Sequence, residues 1–453
     1  MLIAARNGIV TLGLVAAFAS GRQLPLAAQS QAAAAAPVKE EGSTAPTPAT
    51  VKDQPPQDPA LDELRRRLDL LAAELERLRS GDATEGKKLT AAQRSALGLG
   101  PAAASVYEKK SGVSFAGYGE MLLQRLSDTN QGGLKSSAST NLDFLRAVLY
   151  MGYRFNDKFL FNSEIEFEHG GEEVAVEFAY VEYAVRPTFS IRGGMLLVPL
   201  GLVNEFHEPT VFVGARRPET ERRIIPSTWH ENGAGVVGSA GRVSYRAYVL
   251  NGLNAKGFSA SGLRNGRQGG AEALANDWAF AGRLDVNVVP GVFGGLGVYR
   301  GNSAQGQFQS ADVATTIAEV HGQAQVRGLD LRGVFAHASV ADAAALNTGL
   351  GLTGKAGVGR SLNGGYAQAA YNVLSQTTSS VALSPYYRFE QVNTHASVPA
   401  GFLVDPARNG RWNTLGVELK PISQIAIKAD YQWITNKART GRNQFNVLLG
   451  YAF

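Results

Sequence analysis

The closing residues QFNVLLGYAF, 444–453, decide the fold. Phe445, Val447, Leu449, Tyr451 and Phe453 fall on one side of an extended chain, and Gln444, Asn446, Gly450 and Ala452 on the other. That period of two is the signature of a strand between two different surroundings, because successive side chains point to opposite faces. The pattern recurs upstream. Trp278, Phe280, Leu284, Val286 and Val288 alternate with Ala279, Ala281, Arg283, Asp285 and Asn287. Phe159, Phe161, Ile165 and Phe167 alternate with Asn162, Glu164, Glu166 and Glu168. Such segments run about 10–13 residues, enough for a tilted strand to cross a bilayer and longer than the usual strand of a soluble sandwich.

Sixteen segments of this kind fit the chain from Ser111 onward, at 114–128, 142–155, 158–170, 174–186, 189–201, 234–240, 242–250, 276–289, 292–305, 313–326, 329–342, 364–374, 381–393, 412–422, 424–437 and 443–453. Their connections alternate between short turns, such as Pro290-Gly291 and Arg327-Gly328, and longer stretches, such as Asn251 to Ala275 and Ala343 to Asn363. An up-and-down barrel produces that alternation, and an even strand number puts both its ends on one side. The fold class predicted is all-β: a 16-stranded antiparallel transmembrane β-barrel over 111–453, preceded by a short N-terminal coiled-coil helix.

Charge decides which face meets lipid. An Arg or Lys at the bilayer midplane of a barrel costs roughly 2–4 kcal/mol. The aromatic and aliphatic face is therefore outside, and the charged face lines a hydrated lumen. The lumen-facing candidates are Arg146, Arg154, Glu164, Glu166, Glu168, Arg192, Arg246, Arg283, Asp285, Arg388, Lys428 and Asp430.

The remainder of the composition narrows the function. The chain has no cysteine, which excludes disulfides, thiolate metal sites and thiol nucleophiles. A net charge of +5 over 453 residues, without a basic stripe, gives no nucleic-acid face. Residues 1–28 read as a signal peptide: Arg6, an apolar run from Gly8 to Ala19, and cleavage after Ala19 or Ala28. Residues 29–59 are an Ala/Pro-rich linker too poor in large apolar groups to pack. In 60–80, Leu61, Leu64, Leu68, Leu71, Leu75 and Leu78 follow a 3-4 spacing, the a/d seam of a coiled coil. A helix this short needs partners in water, and parallel copies of the chain would supply them. Residues 81–110 read as a second linker.

The stretch Gly193 to Leu253 carries a resemblance. Val198-Pro199-Leu200-Gly201, Glu208-Pro209-Thr210, Glu221-Arg222, Trp229 to Gly235 and Asn251-Gly252 resemble the phosphate-selective porin O/P-like family of outer-membrane proteins. Tyr451-Ala452-Phe453 looks like the aromatic strand end read by outer-membrane assembly machinery. The resemblance implies a homotrimeric outer-membrane diffusion channel in contact with lipid, passing small hydrophilic solutes or ions, including anions such as phosphate, with the coiled coil in the periplasm. It implies no cofactor and no enzyme activity.

In porins the connection at 202–233, the third long loop, folds inward and narrows the channel. Its pore-constriction candidates are Arg216, Arg217, Arg222, Arg223, Glu205, Glu208, Glu219, Glu221, His207 and His230. Guanidinium suits anions because it keeps its charge and binds oxyanions bidentately. These arginines either face the channel or pair with the loop's own acids. A second functional class is a plugged envelope barrel that tethers through its coiled coil. A third, a hydrolase using Ser227 and His230, rests on a spacing common by chance. Glu319 and His321 read as a pore-lining pair rather than a metal site.

Overall fold

The computed structural model describes Glu63, Arg66, Arg67, Asp69 and residues 87–137, 139–308 and 311–453. The signal peptide, the first linker and all six leucines of the seam lie outside the described residues. The chain divides into two units, 1–68 and 69–453. In the first, Arg66 and Arg67 donate to Glu63 one helical turn away.

The second unit is a closed barrel of sixteen antiparallel strands, each paired with its sequence neighbours. They are β1 (Gly112–Leu126), β2 (Thr140–Arg154), β3 (Phe159–Glu168), β4 (Glu173–Arg186), β5 (Phe189–Leu197), β6 (His230–Ala240), β7 (Val243–Asn251), β8 (Trp278–Val289), β9 (Val292–Asn302), β10 (Ala314–Val326), β11 (Leu329–Val340), β12 (Ser361–Tyr371), β13 (Ala382–Ser397), β14 (Asn409–Ile422), β15 (Ile425–Asn436) and β16 (Gln444–Ala452). The closing seam joins β1 to β16, with Leu126 opposite Gln444 and Tyr118 opposite Ala452. Gly117 and Phe453 exchange both backbone bonds at 3.0 and 2.9 Å, so pairing runs to the last residue. Closure matters because an unpaired edge inside hydrocarbon would leave backbone groups with no partner.

The alternation resolves as inside and outside. Phe115 is 74% exposed, Trp278 58% and Leu415 54%, whereas Glu164, Arg246, Arg283 and Lys428 on the opposite face are buried. Large apolar side chains exposed all round a barrel, with charge inside, are stable only where the outer solvent is lipid. Among the described residues no helix is long and apolar enough to span a membrane. The strands do the crossing.

One end carries short turns. Arg327-Gly328 joins β10 to β11 with both residues at positive φ, 49° and 86°, the two-residue turn whose twist matches a hairpin. Outward-facing aromatics cluster beside these turns, with Tyr153 5.0 Å from Phe155 and Phe159 4.7 Å from Tyr183 between ring centres. The opposite end carries the long connections.

Strand ends differ from the sequence reading by up to four residues, and three differences bear on the lumen. Strand β5 stops at Leu197, four residues early. Strand β6 begins at His230, so His230 and Glu231 belong to the wall and not to the loop. Residues 87–110 form ordered structure inside the short-turn end: helix α1 (Ala91–Leu97) and a 3-10 turn at Ser105–Glu108. The lumen is consequently filled over much of its length rather than simply hydrated.

The two ends differ in accessibility from outside a cell. Single cysteines at Glu272 or Lys355, on long connections, are expected to react with a membrane-impermeant thiol reagent in intact cells. Cysteines at Asp157 or Ser423, on short turns, are expected to react only after permeabilisation. No native cysteine competes.

Candidate pore constriction

Between β5 and β6 the chain leaves the wall and crosses the lumen. Its neck is clamped by Asn204, whose amide donates to Val198 O at 2.7 Å and Trp229 O at 2.9 Å and whose carbonyl accepts from Trp229 N at 2.6 Å. Trp229 is fully buried, its ring 4.8 Å from that of Tyr299 on β9. Leu200, Leu202, Val203, Ile224 and Ile225 are buried as well, which gives the loop an apolar reason to stay inside. Gly201 sits at φ 72°, where a Cβ would lie 2.4 Å from Glu221 Oε2. Glycine is required there by conformation and by space.

The loop's acids then meet the wall. Glu205 forms an ion pair with the Arg246 guanidinium at 2.9 Å and lies 3.6 Å from Arg283, while Asp285 bridges both arginines at 3.0 and 2.9 Å. His207 lies 2.9 Å from Glu164 on β3 and 3.4 Å from Glu177 on β4. Glu221, in the short helix α2 (Thr220–Arg223), accepts Leu202 N, Val203 N and the Tyr366 hydroxyl at 2.9, 2.6 and 2.6 Å. Ala215 N donates to Asp430 at 2.9 Å, Arg388 to Arg216 O at 3.1 Å and Lys428 to Phe212 O at 2.5 Å. The loop is thus bonded to strands on every side of the barrel. Burying such charges repays their desolvation only when each is paired and hydrogen-bonded.

The chain just before β1 enters from the short-turn end. Thr90 caps α1 with a capping box, and Gly98 ends it in a left-handed conformation. Arg246 donates to Ser95 O at 2.9 Å and Ala96 O at 3.0 Å, at the helix C-terminus where a cation is favoured. Glu208 accepts Ala102 N and Ala103 N at 2.9 and 3.1 Å. The Tyr107 hydroxyl donates to Glu182 at 2.6 Å and accepts from Arg192 at 3.1 Å. The sequence reading of 81–110 as linker gives way over 87–110 to this ordered segment. The capping box and Leu89, Leu97 and Leu99 were the signal of order.

Loop and segment divide the interior into two cavities. One of about 510 Å³ opens near the short turns beside Ser95, Val211, Arg332 and Lys420. The other, about 360 Å³, lies toward the long connections. Five arginines line it, Arg146, Arg216, Arg217, Arg222 and Arg264, against Glu120, Asp143 and Glu168. Arg146 is balanced by Glu120, Glu166 and Glu168 at 2.8, 3.1 and 2.9 Å. Arg222 and Arg223 share Glu219 at 2.5 and 2.6 Å. Burial opposes the ionisation of Glu219, but Arg222, Arg223 and Arg216 outweigh it and hold its carboxyl at about 2. Burial, with Arg267, Arg222, Arg217 and Arg146 crowding it, lowers Arg264 to about 9.

Of the remaining sequence candidates, Arg192, Arg246, Arg283, Arg388, Lys428 and Asp430 are buried inside the wall. Arg154 lies at the short-turn end, donating to Asp157 O at 3.3 Å. Ser227 Oγ and His230 Nδ1 each lack a hydrogen bond, so no nucleophile–base pair forms between them. His321 sits between Glu319 at 2.9 Å and Asp285 at 2.7 Å, part of the wall's charge network. Arg264 and Arg267 were not singled out from sequence. They come from the β7–β8 connection, which folds back so that Leu263 N donates to Arg223 O at 3.1 Å.

No family model matches the chain. It is 39% identical over 349 residues to an uncharacterized protein of Aquifex aeolicus (strain VF5), covering 74% of this chain and 78% of that one. At that identity and coverage the two belong to one family. Among solved structures, the barrel is similar to an anion-selective porin from Comamonas acidovorans, with TM-score 0.50, 12% identity and coverage of 76% of this chain and 100% of that one. It is also similar to the outer membrane channel DcaP of Acinetobacter baumannii, with TM-score 0.50, 10% identity and 75% and 97% covered. Salmonella typhi OmpF gives TM-score 0.50, 12% identity and 76% and 98% covered. At such identities these likenesses concern the fold.

Removing one member of a buried charge group strands the others. Arg246→Ala is expected to cost roughly 3–5 kcal/mol, because Glu205 and Asp285 lose a common partner. Lowered resistance of the folded barrel to heating in detergent, followed by gel mobility, checks it.

Proposed function

We propose that this chain is an outer-membrane channel through which small anionic solutes diffuse passively. The observation that carries the reading is the arginine-lined cavity on the long-connection side of the constriction, five arginines against three acids. Low-dielectric walls focus such a field, and at a Debye length of about 8 Å it reaches across a pore of molecular width. Guanidinium groups hold oxyanions without giving up a proton. The barrel's likeness to solved porins and the resemblance of Gly193–Leu253 to phosphate-selective porins support the same direction. In this reading Arg216, Arg217, Arg222 and Arg264 attract the anion, while Glu219 tempers Arg222 and Arg223.

The wider organisation follows as part of the proposal. Residues 1–28 direct export, the seam at 60–80 associates copies of the chain in the periplasm, and three barrels pack as a trimer in the outer membrane. A second reading, a plugged envelope barrel, is favoured by one observation: the segment before β1 fills the short-turn mouth and bonds to Glu208 and Arg246. The two readings differ in whether the intact chain conducts.

Planar bilayers in a salt gradient test them. The full chain is expected to conduct with a reversal potential of anion preference. Replacing Arg216, Arg217, Arg222 and Arg264 by Gln should move it toward cations, and Glu219→Gln should move it further toward anions. An insulating full chain would favour the plugged barrel. Deleting 87–108 is expected to raise single-channel conductance in either case, and unchanged conductance would show that the segment leaves the permeation path open.

A further inference from the structure

The contact of His207 with β3 and β4 is built differently from the loop's other anchors. Strand β4 carries an irregularity at this point. Glu164 pairs with Phe178 and Ile165 with Val176, so Glu177 is the extra residue of a bulge. The bulge turns Glu177 inward beside Phe178, and both are buried. One ligand atom from each of Glu164, Glu177 and His207 lies within 4.8 Å of the others. The loop's other anchors pair an acid with an arginine, as at Glu205, or join a charged group to a backbone or hydroxyl partner, as at Glu221, Asp430 and Lys428. Here two carboxylates converge on one imidazole. Glu164 Oε2 and Glu177 Oε2 make no hydrogen bond, although Glu164 is fully buried and Glu177 is 2% exposed.

The imidazole is oriented for a ligand. The contact of His207 Nδ1 with Asn204 O at 2.8 Å makes Nδ1 the donor and turns Nε2 toward the two carboxylates. Metal-bound histidines are held in the same way, with the far nitrogen donating to a carbonyl or carboxylate. Tyr118 packs on His207 in a T-shaped arrangement, 6.0 Å between ring centres. A tetrahedral ion with bonds near 2.1 Å separates its ligand atoms by about 3.4 Å. Nε2 stands 2.9 Å from Glu164 Oε1 and 3.4 Å from Glu177 Oε2, so its two spacings already match an ion to within about half an ångström, and the carboxylate oxygens lie within 4.8 Å of each other.

We propose that His207, Glu164 and Glu177 form a binding site for a divalent transition-metal ion, with Zn²⁺ the best match to one imidazole and two carboxylates, which ties the inward loop to the barrel wall. One nitrogen and two oxygens leave a fourth position for water, and the ion's charge answers the excess of carboxylate. The inference is independent of what the channel passes.

The full chain, purified folded in detergent, is stripped with a chelator, reloaded with Zn²⁺ and freed of excess. Elemental analysis is expected to find about one Zn²⁺ per chain. The double variant Glu164→Gln, Glu177→Gln, checked for folding by its heat-modifiable gel mobility, is expected to hold none. A wild type without retained Zn²⁺, or a folded double variant retaining as much as wild type, overturns the proposal. Should the double variant fail to fold, Co²⁺ bound to the wild type decides. Intense visible bands of four- or five-coordinate cobalt support the site, and only the weak bands of six-coordinate aqueous cobalt reject it.

Discussion

A charge on the inner face of this barrel has hydrocarbon behind the wall and protein in front of it, so its counter-charge must be delivered inside. That requirement places the β5–β6 loop. On the wall, Arg246 and Arg283 both form ion pairs with Asp285; Glu205 from the loop adds a second shared carboxylate. Lys428 finds Phe212 O on the loop and Glu418 on the neighbouring strand. The wall therefore sets where the loop runs, and the apolar side of the loop fills the space between anchors.

Strand number and facing were legible because lipid imposes the same alternation on every strand. A residue such as Phe280 or Arg283 reports its side whatever its neighbours do. The inward course of 202–233 was legible from its large apolar residues, which water would leave unused. Other features depend on partners far along the chain and leave little local trace. The segment 87–108 looks like linker by composition. Its order comes from Glu208 and Arg246, residues more than a hundred positions away. The bulge that aims Glu177 inward looks like any other step of strand β4. Arg264 sits in a Gly- and Asn-rich stretch that reads as surface; it folds back in a segment where Leu253, Phe258 and Leu263 are buried and Leu263 N bonds Arg223 O.

Constriction and mouth segment are coupled through shared residues. Arg246 serves the loop by Glu205 and α1 by Ser95 and Ala96, and Glu208 serves the segment from within the loop. A change at either residue reaches both obstructions. The arginine-lined cavity beyond them depends less on this coupling, because Arg216, Arg217, Arg222 and Arg264 come from the loop's later half and from the connection above it.

The sequence distance spanned by these bonds has a kinetic meaning. Ala215 meets Asp430 and Phe212 meets Lys428, contacts separated by 215 and 216 residues. Neither can form until the last quarter of the chain is in place, and contacts so remote in sequence are slow to find. The loop's other anchors span far less chain: His207 meets Glu164 43 residues away, and Asn204 meets Trp229 25 residues away. The same loop is therefore tied early at its neck and late at its tip, and its far end waits for strands that the chain supplies last.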